Sequence, residues 1–161
     1  MIRIEDILSS GIEEAEGIAK LAQEAEAFLS SHKWCHEIIS GYFDRGWSGI
    51  VGVFYFNIEP GESNADNSVW VIVGDLPPAY IVVDECPNGA AAIDGYVGEM
   101  RRWVDAVKNS KPVNNLIPVL RRGSFVSVES TTEFAEMLES RLDVIDREIL
   151  TLFENELSEE T

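Results

Sequence analysis

Cysteine is scarce in this chain of 161 residues: there are two, Cys35 and Cys86. Two cysteines cannot build the disulfide framework that props up small secreted domains. Long apolar runs are missing as well. The most apolar stretches, GIVGVFYF and VWVIVG, fall far short of the roughly 20 residues that cross a bilayer. The start MIRIEDILSS sets no apolar run behind a basic segment, so no signal peptide is expected. The expectation is a cytoplasmic protein with reduced thiols.

Positive charge is also thin. The chain holds 12 Lys and Arg against 29 Asp and Glu, a formal charge of -17. From Ser48 to Met100 there are eight acids and no Lys or Arg. Residues 101–123 reverse this with Arg101, Arg102, Lys108, Lys111, Arg121 and Arg122 against Asp105 alone. Such a surface repels phosphate backbones and anionic lipid headgroups, which argues against nucleic-acid and membrane partners. It steers a basic protein toward itself. A plainer reading is that the acidity keeps the chain in solution. The basic island either binds an anion or pairs with the acidic segments, and the pairing is the simpler expectation.

Against these absences stands an ordinary globular composition, 45% hydrophobic and 25% charged. The length suits one domain that buries roughly two thirds of its unfolded surface. Ser10 with Glu13 has capping-box spacing, and Ile12, Ala15, Ile18, Ala22, Ala25 and Leu29 follow at three and four. Ser30 and Ser31 then cap a second helix running to about Phe43, with Cys35, Ile38, Ile39, Tyr42 and Phe43 as its apolar stripe.

Next the period changes. Residues 50–58, 69–74 and 79–84 are β-branched, aromatic and apolar on both faces. EPGESNADNS reads as an exposed hairpin loop, and DLPP is short enough to force antiparallel pairing. Pro87, Asn88 and Gly89 open a third helix, striped by Ile93, Tyr96, Val97, Met100, Trp103, Val104 and Val107 and ended at Lys111-Pro112. A short extended piece falls at Phe125–Val128. Ser130 and Glu133 start a last helix on Phe134, Leu138, Leu142, Ile145, Ile149 and Phe153, frayed and acidic from about residue 155. The expectation is one α+β domain over residues 1–161: a three-stranded antiparallel meander under about four helices, in the order α-α-β-β-β-α-α.

The rare residues cluster in SSHKWCHEIISGYF. On a helix, His32 and His36 share one face and Cys35 lies three residues from His32. With Cys86 they make the candidate metal set His32, Cys35, His36 and Cys86, for which zinc is the natural ion. The alternative is ordinary helix surface with Cys35 in the apolar stripe. Asp75, Asp84 and Glu99 are the carboxylates to examine for acid–base work. No phosphate loop, dinucleotide fingerprint, nucleophile elbow or HExxH occurs. No catalytic residue is assigned.

The segments WC and GYF, then VGDLPPAY, GEM followed by WV, and LIPV resemble those of a family of uncharacterised bacterial proteins. The resemblance runs from about Trp34 to Val119 and includes the final helix. It implies a single bacterial cytosolic domain and carries no activity across. RRGSFVSVES departs from the simpler approach to the last helix that the resemblance would imply.

Two readings follow. The preferred one is a non-enzymatic, acidic interaction module, immunity-like toward a basic protein. The alternative is a small metal- or thiol-dependent enzyme centred on the His32/Cys35/His36 helix. A subunit of a homodimer is a third.

Overall fold

The computed structural model describes residues 1–60 and 67–158. Among them, five strands form one antiparallel sheet in the order β1-β2-β3-β4-β5. These are β1 (Ile2–Arg3), β2 (Cys35–Trp47), β3 (Val51–Pro60), β4 (Ser68–Gly74) and β5 (Ala79–Val82). The sheet is an α+β meander, as expected, but it has two strands more. Of the expected hairpin loop, residues 61–66 lie outside the described residues.

Alternation along β4 sets the layers. Val69, Val71 and Val73 face helix α1 (Ala15–Ser30), while Trp70 and Ile72 face the opposite side. That second side is covered by α2 (Gly89–Lys108), by α3 (Thr132–Val144) and by the turns that continue α3. All five residues are buried, so β4 is apolar on both faces because both are roofed. The expected α2 stripe is buried, among it Ile93, Tyr96, Met100 and Trp103. Of the expected first-helix stripe Ile18, Ala22, Ala25 and Leu29 are buried, whereas Ala15 is half-buried, Ile12 precedes the helix, and Leu21 and Phe28 join the buried face.

The second helix expected at residues 31–43 is corrected to strand β2. Its pairing with β3 carries register shifts between Cys35 and Glu37, Ile38 and Ser40, and Phe43 and Arg45. Each irregularity breaks the two-residue alternation of a strand. Apolar residues then fall at 35, 38, 39, 42 and 43, which imitates a helical stripe. Ile39, counted in that stripe, is 66% exposed. The β-branched and aromatic content of the segment favours the strand.

Helix starts differ in smaller ways. Ser10 caps nothing in α1; its hydroxyl donates to the Ile7 carbonyl at 2.6 Å and closes a 3-10 turn over Ile4–Ser9. Glu14 precedes α1 in a left-handed conformation, φ 57°. Asn88 caps α2, its side chain accepting from the Ala91 amide at 2.8 Å. Thr131, not Ser130, caps α3 by accepting from Phe134 N at 3.2 Å. Between α2 and α3 the expected extended piece reduces to one bridge, Leu120 to Ser127. After α3 come a π turn (Ile145–Ile149), a 3-10 turn (Leu150–Phe153) and α4 (Glu154–Ser158). No helix among the described residues is long and apolar enough to cross a membrane.

Candidate functional site: an open groove beside strand β5

Strand β5 is the edge of the sheet. It pairs with β4 from Val69–Val82 through Ile72–Ala79, and among the described residues no strand lies on its other side. Two buried hydrogen bonds fix it at both ends. Before it, the Tyr96 hydroxyl of α2 donates to the Pro77 carbonyl at 2.6 Å. Beyond it, the indole N–H of Trp70 donates to the Cys86 carbonyl at 2.8 Å. Both polar groups lie in the core and both are satisfied, as buried donors must be. Burial alone pushes the Tyr96 phenol well above its ordinary range.

Along this edge runs a cavity of about 570 Å³. That is within the range of roughly 300 to 1,000 Å³ typical of ligand sites. Pro78, Ala79, Tyr80, Ile81 and Val82 all line it. Consecutive side chains of a strand point to opposite faces. A hollow touched by five in succession therefore follows the edge and not a face. Gly95 and Glu99 of α2 form one wall, and Phe28 and His32 at the end of α1 form the other. Ile117, Pro118 and Leu120 cross over from the segment between α2 and α3.

Gly95 keeps its wall low. A Cβ there would meet Cys86 Sγ at 3.4 Å and Ile81 Cδ1 at 3.7 Å, so the helix passes close to the end of β5. On the other wall His32 sits among aromatics, with ring centroids 4.8 Å from Phe28, 5.0 Å from Trp34 and 5.2 Å from Tyr80. His32 Nδ1 lies 2.9 Å from the Phe28 carbonyl. A carbonyl only accepts, so Nδ1 carries the proton and donates.

No Lys or Arg is among the lining residues, whereas Glu85 and Glu99 are. Glu99 meets Arg102 only loosely, at 3.6 Å on an exposed surface, a pair worth little. Three of the six cations of the basic island pair with acids outside the groove. Arg101 reaches Asp143 at 3.0 Å, Lys108 reaches Glu139 at 2.7 Å and Arg122 reaches Glu24 at 2.8 Å. Asp75, one of the carboxylates singled out for acid–base work, pairs with Arg141 at 3.3 Å, outside the groove. Asp84 is exposed in the 3-10 turn Val83–Glu85.

The four candidate metal ligands do not converge. Because β2 replaces the expected helix, His32 and His36 share no helical face. His36 is exposed, Cys35 is buried under α1, and Cys86 is buried on the α2 side. His32 and Cys86 do line the same groove, but among the described residues no three His, Cys, Asp or Glu side chains come close enough to share a metal ion. Cys86 Sγ donates to the Ala91 carbonyl at 3.5 Å. Burial pushes the Cys35 thiol up, away from the thiolate that nucleophilic chemistry requires.

Composition pointed to none of the groove as such. The signal that was present is the cation-free stretch 48–100, which supplies β5, Glu85, Cys86, Gly95 and Glu99. Comparison with protein-family models, with curated proteins and with solved structures gave no match.

Proposed function

We propose that the chain is a non-enzymatic interaction module that recognises a basic protein, in the manner of an immunity protein held against a cationic target. The observation that carries this reading is the groove lining: two carboxylates, an aromatic wall and no Lys or Arg. The net charge of -17 draws a cationic partner in from a distance. The groove then offers the apolar contact that gives a charged encounter its lifetime. Catalysis has less support, because both thiols are buried, burial raises the Cys35 pKa, and the carboxylates considered for acid–base work share no cleft.

The test is affinity capture by the immobilised chain at low and at high salt. The expected result is a basic protein retained near 0.05 M salt and released above roughly 0.5 M, where screening cuts the steering field to a few ångströms. The double variant Glu85→Lys, Glu99→Lys should retain markedly less. A complex indifferent to salt, or no retained protein, would sink the reading.

A further inference from the structure

We infer that the groove takes an extended, cationic segment of the partner as a sixth strand, added antiparallel or parallel to the open edge of β5. The inference rests on the reading of the chain as an acidic interaction module and specifies its mode of binding. An edge strand turns half of its backbone N–H and C=O groups away from its neighbour. Exposed edges are ordinarily blunted by short length, proline, a lysine, a bulge or a covering element. Strand β5 has the first two, being four residues long behind Pro77 and Pro78, which limits an added strand to a short one. The β5 edge has no lysine, and its ladder with β4 is regular over all four residues. The segment that would cover it stands off across a cavity of about 570 Å³. Four residues of strand span roughly 13 Å, enough to hold a short peptide by main-chain hydrogen bonds.

The two walls then read alternate side chains of the incoming strand. Residues facing α2 meet Gly95 and Glu99, where the low wall and the carboxylate suit Lys or Arg. Residues facing α1 meet Phe28 and His32, which suit an apolar side chain. A second copy of this chain is the competing occupant of any open edge. It would set Glu85 and Glu99 of one molecule against those of another, with a charge of -17 on each.

The experiment titrates the full chain with fluorescent peptides of alternating Lys and Val at low salt. Companion peptides replace Lys by Glu or are N-methylated on one or the other alternate set of amides. The Lys–Val peptide should bind and slow amide exchange at Ala79–Val82. The Glu peptide and one N-methylated peptide should bind at least about tenfold more weakly, the other N-methylated peptide nearly as well as the parent. Gly95→Leu, whose side chain would start from a Cβ already against Cys86 Sγ and Ile81 Cδ1, should lose binding. Glu99→Lys, a second variant on the same wall, should also lose it while keeping the helix backbone unchanged. Equal affinity for both N-methylated peptides and the parent would overturn the sixth strand and leave the charge-driven reading standing. Failure of every peptide while a basic protein is still captured would place the contact elsewhere and overturn it too. A doubled mass in solution that Gly95→Leu abolishes would assign the edge to a second copy.

Discussion

The phenol of Tyr96 is fully buried and donates to the carbonyl of Pro77, 19 residues earlier in the chain, at 2.6 Å. That bond ties the middle of α2 to the turn that launches β5, and with the Trp70–Cys86 bond it sets where the groove opens. Neither residue touches solvent in a way that charge patterning would reveal. The relationship is one of packing between elements far apart in sequence.

Tyr96→Phe keeps the ring and removes the donor, leaving the Pro77 carbonyl buried and unsatisfied. The expected cost is about 1 to 2 kcal/mol in denaturant unfolding. The phenol also links stability to pH. Its folded pKa lies well above the ordinary value near 10 because burial disfavours the phenolate. Stability from this group is therefore undiminished below about pH 10 and falls as pH rises beyond it, where only the unfolded chain ionises. Tyr96→Phe should flatten that alkaline decline. An unchanged slope above pH 10 would assign it to other groups.

Arg45 fastens the end of the chain to the sheet. Its guanidinium donates to both Glu156 oxygens, at 3.0 and 2.8 Å, pairs with Asp44, and lies 4.5 Å over the Phe153 ring. Glu156→Ala should cost about 1 kcal/mol or less, since Glu156 is partly in water. The clearer readout is local: amides of 150–158 should exchange faster while those of β3 and β4 keep their protection. Uniform acceleration across the sheet would mean that the contact supports the whole fold.

Thiol and metal chemistry should be silent. Cys35 and Cys86 are buried, and burial raises the Cys35 pKa, so alkylation of the native chain at pH 8 should lag far behind that of the unfolded chain. Zinc added to untagged protein should leave the melting temperature unchanged. His36→Ala, at an exposed site, should shift stability by less than about 0.5 kcal/mol. A zinc-dependent rise in melting temperature lost in His36→Ala would restore the metal reading.

Helices α1 and α2 were legible in the sequence because their apolar residues repeat at three and four over long, uninterrupted segments. Strands β3, β4 and β5 were legible because they are short, β-branched and punctuated by turn residues. Strand β2 was not, since three irregularities in its pairing with β3 recast a two-residue period as a helical one. Strand β1 is two residues long and has no period at all. The groove was invisible for a different reason. Its emptiness is a property of how the 109–131 segment clears the sheet edge, which no local pattern encodes. Only its charge was readable, as the missing lysines and arginines between Ser48 and Met100.

Two glycines should respond in opposite directions to the same substitution. Gly74 ends β4 at φ 144°, and a Cβ there would stand 2.3 Å from the Ile50 carbonyl oxygen and 2.8 Å from Val51 Cα. Those are backbone atoms of the neighbouring β2–β3 turn and of β3, so no side-chain rotation relieves the overlap. The left-handed φ adds strain for any residue with a Cβ. Gly74→Ala should therefore destabilise by about 2 kcal/mol or more. Gly98 lies exposed inside α2, and a Cβ there meets nothing within 4 Å. Gly98→Ala should stabilise by about 0.5 to 1 kcal/mol, through helix propensity and a less disordered unfolded chain. Paired urea titrations decide the matter: a neutral Gly74→Ala would mean that the β2–β3 turn gives way, and a destabilising Gly98→Ala would reveal a contact made at that surface.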